Sequence, residues 1–155
     1  MNIEYLTQLR DDPINYPNDV TNRFPNIGIT ESEIIQLQEN WNNSNPFPKV
    51  LKELLFLAGN YCYVFDYNIH ENQQEIQEWV REDLVETNRI IARPFYVFDL
   101  YDGFMFIYLD EGDNPEIYEA HPFRTGNDWI RKTSNTIKSL SEKRISRVKD
   151  GQNPF

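Results

Sequence analysis

The spacing of apolar residues along the chain predicts five helices. They cover about residues 1–10, 30–41, 47–58, 72–88 and 128–149. The third has the clearest pattern, because its apolar residues recur at the three- and four-residue intervals that place them on one helix face. These residues are Phe47, Val50, Leu51, Leu54 and Ala58.

Local signals predict where several of these helices begin and end. Thr30 and Glu33 have the spacing of a capping box, in which each side chain satisfies a backbone donor near the other residue. Pro48 is compatible with a first helical turn, where its missing N–H has no helical partner. Asn72 can cap the fourth helix, and Gly59 is a typical helix stop.

A second pattern, of aromatic and β-branched residues, predicts strands. The first is expected at Tyr61–Phe65. Phe95–Leu100 and Phe104–Leu109 flank Asp102-Gly103, a strong hairpin signal because a type I′ turn needs a positive φ at both central residues. Pro115–Ala120 predicts a further strand of the same antiparallel meander.

A two-residue hairpin loop would fix the pairing of the two central strands. It pairs Tyr101 with Phe104, Leu100 with Met105, and Phe98 with Ile107. One face of this hairpin is then apolar and is expected to be core. The other face mixes rings with a carboxylate, and we expect it either to be covered by another layer or to lie partly open. Its residues are Phe95, Val97, Asp99, Tyr101, Phe104, Phe106 and Tyr108.

The length and the order of the elements predict one α+β domain. The chain has 155 residues, within the range of about 100–200 residues that single domains commonly have. We expect an antiparallel β meander packed with N-terminal helices and a C-terminal helix. Pro13, Pro17 and Pro25 indicate an extended arm over residues 11–29, and residues 150–155 are expected to form a loose tail.

The charge of the chain narrows the choice of partner. There are 15 basic and 25 acidic residues, and the net charge is −10. Residues 131–149 include seven basic residues and one acidic residue, so this segment is +6 and the remainder is −16. An acidic surface repels phosphate backbones, which argues against direct nucleic-acid binding, and attracts basic partners. An ordinary solvated helix face accounts for the basic segment equally well.

Other features favour a cytoplasmic protein without metal or cofactor. No apolar run approaches the roughly 20 residues of a membrane span, and the first residues lack the regions of a secretory signal. The one cysteine, Cys62, excludes an intramolecular disulfide, and its aromatic neighbours favour a buried, inert thiol. There is no glycine-rich phosphate loop. We therefore expect a cytoplasmic location and no membrane association.

Two sets of residues could support catalysis, and each has a simpler interpretation. Glu119 and His121 could form an acid–base pair, although isolated neighbours of this kind are common at strand ends. Asp110, Asp113 and Glu116 could surround a cation, but they lack the EF-hand spacing, and turn chemistry accounts for them. We expect no enzymatic activity.

Two stretches of the chain resemble the SUKH superfamily. Phe47–Tyr67 is similar to the family's succession of a proline, an amphipathic helix, Gly-Asn and a strand. Arg93–Ala120 resembles its central hairpin, followed by an acidic turn with proline and a short strand. The resemblance implies one SUKH-like domain over residues 1–155. The matching positions include Pro48, Leu51, Gly59, Asn60 and Asp110.

This resemblance implies a protein that acts by binding. Many bacterial members of the family are immunity proteins, which bind and occlude a cognate polymorphic toxin, often a nuclease. The implied partner is a protein toxin with a basic surface, and the chain itself would be a monomer or a weak oligomer. An intracellular scaffold or regulatory binding module of the same fold is an alternative. A small hydrolase that uses the carboxylates of the acidic turn is a third.

We expect the partner to dock on an acidic face formed by the strands and their turns. Loops commonly carry function, and exposed rings often dominate interfaces. The candidate partner-binding residues are Asp66, Tyr67, Asp99, Tyr101, Asp102, Asp110, Glu111, Asp113 and Glu116.

Overall fold

The computed structural model describes residues 1–13 and 24–155, which form an α+β fold as predicted. Residues 14–23 of the predicted arm lie outside the described residues. The helices of the described part are α1 (Thr7–Asp11), α2 (Glu31–Trp41), α3 (Lys49–Ala58), α4 (Gln73–Glu86) and α5 (Ile137–Lys149). Its strands are β1 (Phe95–Asp99), β2 (Phe104–Tyr108), β3 (Glu116–Ala120) and β4 (Ile130–Thr136).

The strands form an antiparallel sheet in the order β1-β2-β3-β4, so the predicted meander is confirmed. The predicted register of the first hairpin is wrong, because Tyr96 and not Phe98 pairs with Ile107. An irregularity between Val97 and Asp99, together with a longer connection between the strands, moves the pairing by two residues. A shift of two leaves each side chain before the irregularity on its predicted face.

Both faces of the central hairpin are buried. On the face predicted to be core, the Tyr96 ring packs against Phe47 at 5.0 Å between centroids, and Phe98 packs against Phe65 at 5.4 Å. The second face is covered rather than open, since most of its side chains are buried as well. These buried side chains are Phe95, Val97, Phe104 and Phe106; Asp99 is also buried, but after the irregularity it pairs with Met105 and lies on the first face.

Helix α4 closes the free edge of β1. The Gln77 side chain donates to the carbonyl of Val97 (2.7 Å) and accepts from its backbone N–H (3.0 Å). Arg81 donates to the carbonyl of Phe95 at 3.1 Å. These bonds satisfy backbone groups that an edge strand leaves unpaired, and they block the addition of another strand.

Helices α2 and α4 begin where the sequence predicts. Thr30 and Glu33 form the expected capping box, and the Asn72 side chain caps α4. Helix α3 begins at Lys49, slightly later than predicted, with Pro48 as its N-cap residue.

Helix α1 begins later than predicted, and a buried carboxylate binds the backbone amides that precede it. Glu53 of α3 accepts from the backbone N–H groups of Glu4 (2.9 Å), Tyr5 (2.8 Å) and Leu6 (2.9 Å). The helix begins at Thr7, directly after these three residues.

The strand predicted at Tyr61–Phe65 is wrong. Tyr61 makes one isolated antiparallel bridge with Ile27, and the residues after it are not part of a ladder. The residues of this segment instead pack in the hydrophobic core without forming a strand. The buried residues are Cys62, Tyr63, Val64 and Phe65. The carbonyl of Val64 is satisfied by Arg144 of α5 at 2.7 Å instead of by a neighbouring strand.

The long helix predicted over residues 128–149 is also wrong in its first half. Residues Ile130–Thr136 form β4, which pairs with β3 and extends the sheet. Helix α5 begins at Ile137, where Thr136 and Ser139 form a capping box. Pairing with β3 stabilises this segment as a strand and outweighs the helical spacing of its isoleucines.

The predicted loose tail lies against the rest of the protein. Arg147 donates to the carbonyl of Asn153 at 2.8 Å and to that of Phe155 at 3.1 Å. The Phe155 ring stacks on Tyr101 at 4.8 Å, and the Arg144 guanidinium lies 4.8 Å from the same ring. The tail thus packs against Tyr101 at the turn end of the first hairpin.

Candidate partner-binding surface

The carboxylates of the acidic turn after β2 are held by one arginine. Arg93 pairs with Asp110 and with Glu111, and its guanidinium lies 4.0 Å from the centroid of the Tyr108 ring. The hydrogen bond from Arg93 lowers the pKa of Asp110 below its ordinary value. The Asp110 carboxylate is therefore ionised at neutral pH, and Arg93 compensates part of the charge of this turn.

The next two candidates also have intrachain partners. The Asp113 carboxylate accepts from the backbone N–H of Lys49 at 3.3 Å, and its carbonyl accepts from Val50 at 3.0 Å, at the beginning of α3. Glu116 pairs with Lys132 across the β3–β4 ladder, and this bond raises the pKa of Lys132. Asp113 therefore caps a helix, and Glu116 is part of a cross-strand ion pair.

Asp99 is not a surface residue, which corrects the prediction that it contacts a partner. Its carboxylate has 0% exposed area, accepts from the Tyr101 N–H at 2.8 Å and pairs with Arg144 of α5. Burial raises the pKa of Asp99 to about 6, although Arg144 acts in the opposite direction. The carboxylate joins the sheet to α5 and cannot reach a partner in the folded chain.

The prediction that Tyr67 contacts a partner is corrected for the same reason. Two neighbouring candidates at the turn end of the hairpin are exposed. Tyr67 is buried, and its hydroxyl donates to the carbonyl of Ala58 at 2.9 Å. Asp66 is half-buried, and its backbone carbonyl accepts from the N–H of Leu100 at 2.8 Å. Tyr101 and Asp102 are exposed.

The structure divides the nine candidates into two groups. Asp66, Tyr67, Asp99, Tyr101 and Asp102 lie at the turn end of the first hairpin. The other four lie at the opposite end of β2, about 13 Å away for a five-residue strand. They are Asp110, Glu111, Asp113 and Glu116. The candidates therefore do not form the single face that the sequence predicts.

No family model, curated protein or solved structure in the comparisons matches this chain.

A cleft with a volume of about 740 Å³ lies between the segment 60–70 and the C-terminal tail. Cys62 and His70 contribute to its lining. The Cys62 thiol is buried, and this burial raises its pKa to about 12. A thiol with such a pKa is protonated at neutral pH and is a poor nucleophile.

The Glu119–His121 pair suggested by the sequence is present. His121 Nε2 lies 3.3 Å from Glu119 Oε1, and Glu119 also pairs with Arg131 of β4. Partial burial raises the pKa of Glu119, but the bonds to Arg131 and His121 outweigh it, so the pKa is below its ordinary value. The arrangement is a cross-strand ion pair with a histidine at its edge.

Within residues 1–13 and 24–155, no group of three or more His, Cys, Asp or Glu residues could hold a metal ion. In the same part of the chain, no helix has both the length and the hydropathy needed to cross a membrane.

One acidic surface was missed by the sequence-based prediction. Glu75, Glu78, Glu82 and Glu86 follow one another along α4 at intervals of three and four residues. This spacing places them on one side of the helix and was visible in the sequence.

Proposed function

We propose that this protein acts by binding, as an immunity protein that occludes a cognate toxin with a basic surface. Its action would be stoichiometric and would need no turnover, metal or cofactor. The resemblance of Phe47–Tyr67 and Arg93–Ala120 to SUKH proteins supports this proposal, as does the α+β meander. A nuclease is the toxin class that best fits the charge, since enzymes that bind nucleic acid present cationic surfaces.

The observation that carries the proposal is that most basic residues of the C-terminal segment form ion pairs within the chain. The cations of residues 131–149 largely pair within the chain: Arg131 with Glu119, Lys132 with Glu116, and Arg144 with Asp99. The chain still has a net charge of −10. The excess carboxylates that remain give an electrostatic field that accelerates association with a cationic protein.

The same contacts argue against the hydrolase alternative. Asp110 and Glu116 would be its acid and base, but Arg93 and Lys132 hold them. A general acid needs a raised pKa, whereas that of Asp110 is lowered by its hydrogen bond with Arg93.

The proposal is tested by co-expression. Toxic domains encoded in the genome of the source organism are expressed one at a time in a bacterial host, with and without this chain. An unrelated acidic protein of similar size and charge serves as the control. We expect this chain, and not the control, to relieve the toxicity of one of these domains. Toxicity that persists across the whole set contradicts the proposal.

The mechanism is tested by titration of the relieved toxin with the purified chain. Occlusion predicts a linear loss of toxin activity that ends at an equimolar ratio. Loss of activity at a small fraction of that ratio would indicate turnover and would favour an enzyme. A regulatory module of the same fold would instead bind a protein of its own host and leave every toxin active.

A further inference from the structure

The outer side of α4 is a helix face that no other element of the described residues covers. Glu78, Trp79, Glu82, Val85 and Glu86 are exposed there. We call these five residues the α4 surface. The opposite side of the helix packs against β1 through Gln77 and Arg81. The helix is therefore fixed in position, and its outer side is presented to solvent.

Apolar side chains on and beside this surface are unusually accessible. Val85 is 78% exposed, and Ile90, just beyond the end of the helix, is 80% exposed. Arg89 donates to the carbonyls of Arg124 and Gly126 at 2.9 Å, so the loop that contains Phe123 lies at the same end of α4. Phe123 is 65% exposed. Exposed apolar residues that lie close together, surrounded by polar ones, are typical of an interaction site.

The charges on this surface are unfavourable for the isolated helix. Glu78 and Glu82, and then Glu82 and Glu86, are like charges four residues apart, which destabilises a helix by about 0.2–0.5 kcal/mol per pair. Glu82, Asp83 and Glu86 lie near the C-terminal end of α4, which is the negative end of the helix dipole. The last turn contains no basic residue that would offset this unfavourable interaction. Partial burial raises the pKa of Asp83, and Glu86 and Glu82 raise it further.

Within the part of the chain that the structure describes, these glutamates lack the compensating cation that the carboxylates of the sheet turns have. Among the described residues, no ion pair involves Glu78, Glu82 or Glu86. Arg89 is the cation at this end of the helix, and its guanidinium is engaged with loop carbonyls and the Trp129 ring. A partner that brings cations would remove a repulsion that the chain itself leaves in place.

We propose that the α4 surface is the docking site for a basic protein partner. This inference rests on the proposed function and adds where the toxin binds. The occupant presents arginine or lysine to the glutamates and an apolar group to Val85 and Ile90. Charge complementarity selects this occupant, because a second copy of the chain, an anionic membrane or a nucleic acid would each bring negative charge to the same surface.

The test compares two triple variants that remove the same number of negative charges. The first, Glu78→Gln, Glu82→Gln and Glu86→Gln, changes the α4 surface. The control, Asp110→Asn, Glu111→Gln and Asp113→Asn, changes the acidic turn. The probe is a synthetic helical peptide with arginines and leucines on the same side, and its binding is followed by NMR and by titration calorimetry.

We expect the peptide to shift the amide resonances of α4 in the wild-type chain. The α4 variant should weaken the Kd about tenfold or more, given the coupling energies that close interfacial charge pairs can have. The control variant should leave the Kd close to the wild-type value. The α4 variant should also melt at or above the wild-type temperature, because it removes like-charge repulsion. Weaker binding together with undiminished stability is the signature of a functional surface.

A second variant tests the apolar part of the surface. Val85→Ser with Ile90→Ser should weaken peptide binding at both low and high salt, since it leaves the charges unchanged. Equal loss of binding in the two triple variants, or resonance shifts confined to the acidic turn, would overturn the proposal. So would dimerisation of the wild-type chain through α4 in sedimentation equilibrium.

The outcome for the docking site can be separated from that for the function. A toxin that the α4 variant neutralises as well as the wild-type chain does overturns the docking site and leaves the immunity function intact. Peptide binding at α4 without relief of any toxin supports the docking site and contradicts the immunity function.

Discussion

At the scale of single residues, Gly103 illustrates how closely the first hairpin is fitted to its neighbours. Its φ is +103°, and Asp102 before it also has a positive φ of 50°, as the hairpin signal in the sequence predicts. A Cβ atom on Gly103 would lie 2.5 Å from the carbonyl oxygen of Ala120 and 2.7 Å from Nδ1 of His121. The residue is therefore restricted by its conformation and by the space around it.

Replacing Gly103 with alanine should cost more stability than the same change at Gly112. Both glycines have a positive φ, but nothing lies within 4 Å of a Cβ built on Gly112. We expect Gly112→Ala to cost about 1 kcal/mol from backbone strain alone. Gly103→Ala should cost at least about 1 kcal/mol more from the clash with the Ala120 carbonyl. Urea unfolding of both variants measures the difference, and equal losses would contradict the clash.

The buried pair of Asp99 and Arg144 should be costly to break from one side. Arg144→Met leaves the Asp99 carboxylate buried without its cation, and we expect a loss of about 3–5 kcal/mol in the free energy of unfolding. Adding Asp99→Leu should recover part of this loss, since it removes the uncompensated charge. The measurement is a double-mutant cycle by chemical denaturation. A double variant less stable than Arg144→Met would refute this interpretation.

The cost of Arg144→Met should depend on pH in a defined direction. The folded pKa of Asp99 is raised to about 6, above the ordinary value of about 3.9 in the unfolded chain. Its contribution to stability therefore falls as the pH rises through the folded pKa. Without Arg144, that folded pKa is higher still. The difference between variant and wild type should shrink as the pH falls from 8 to about 6 and then level off. Denaturation curves at several pH values measure this, and a constant difference would contradict it.

At the scale of elements, the signals confined to a few neighbouring residues were the ones that could be predicted. Thr30 with Glu33, and Asn72, begin their helices because a cap depends only on side chains within one turn. Strand pairing depends on distant residues, so Tyr61–Phe65 and Ile130–Thr136 were misassigned. Propensity describes a residue's fit to a strand, but it does not supply the neighbouring strand.

The edge of β1 gives a test of how much one side chain contributes to an element. Gln77→Met keeps the size of the side chain but removes both bonds to Val97, and we expect a loss of about 1–3 kcal/mol, the penalty for unsatisfied buried groups. Gln36→Met, on the exposed side of α2, is the control and should be nearly neutral. Thermal unfolding compares the two variants. Equal melting temperatures would show that water replaces Gln77 at the edge.

At the scale of the whole molecule, composition predicted the sign of the net charge but not which charged residues lack an ion-pair partner. The partition into a basic segment of +6 and a remainder of −16 suggested an acidic sheet face. In the structure, the first part of the basic segment is strand β4, where Arg131 and Lys132 pair with carboxylates of β3. The burial of Asp99 and Tyr67 depends on packing that no local pattern encodes. The glutamates of α4, by contrast, could have been placed on one face from their spacing alone.

Association with the toxin identified by co-expression should be sensitive to salt. We expect the association rate to fall markedly between low and physiological ionic strength, where the Debye length is about 8 Å, because long-range attraction between opposite charges is then screened. The dissociation rate should change less. Stopped-flow mixing at several salt concentrations measures both rates. An association rate independent of salt would show that the net charge of −10 does not steer the encounter.

The meander also bears on the order in which the chain can fold. Every strand of the sheet pairs only with strands adjacent to it in sequence, so each ladder closes a short loop and loses little chain entropy. The contacts of α1 with α5, and of Glu53 with residues 4–6, close loops of about 50 residues or more. A folding nucleus in the β2–β3 region can therefore form before the two ends of the chain meet, and the termini become the last part of the molecule to consolidate.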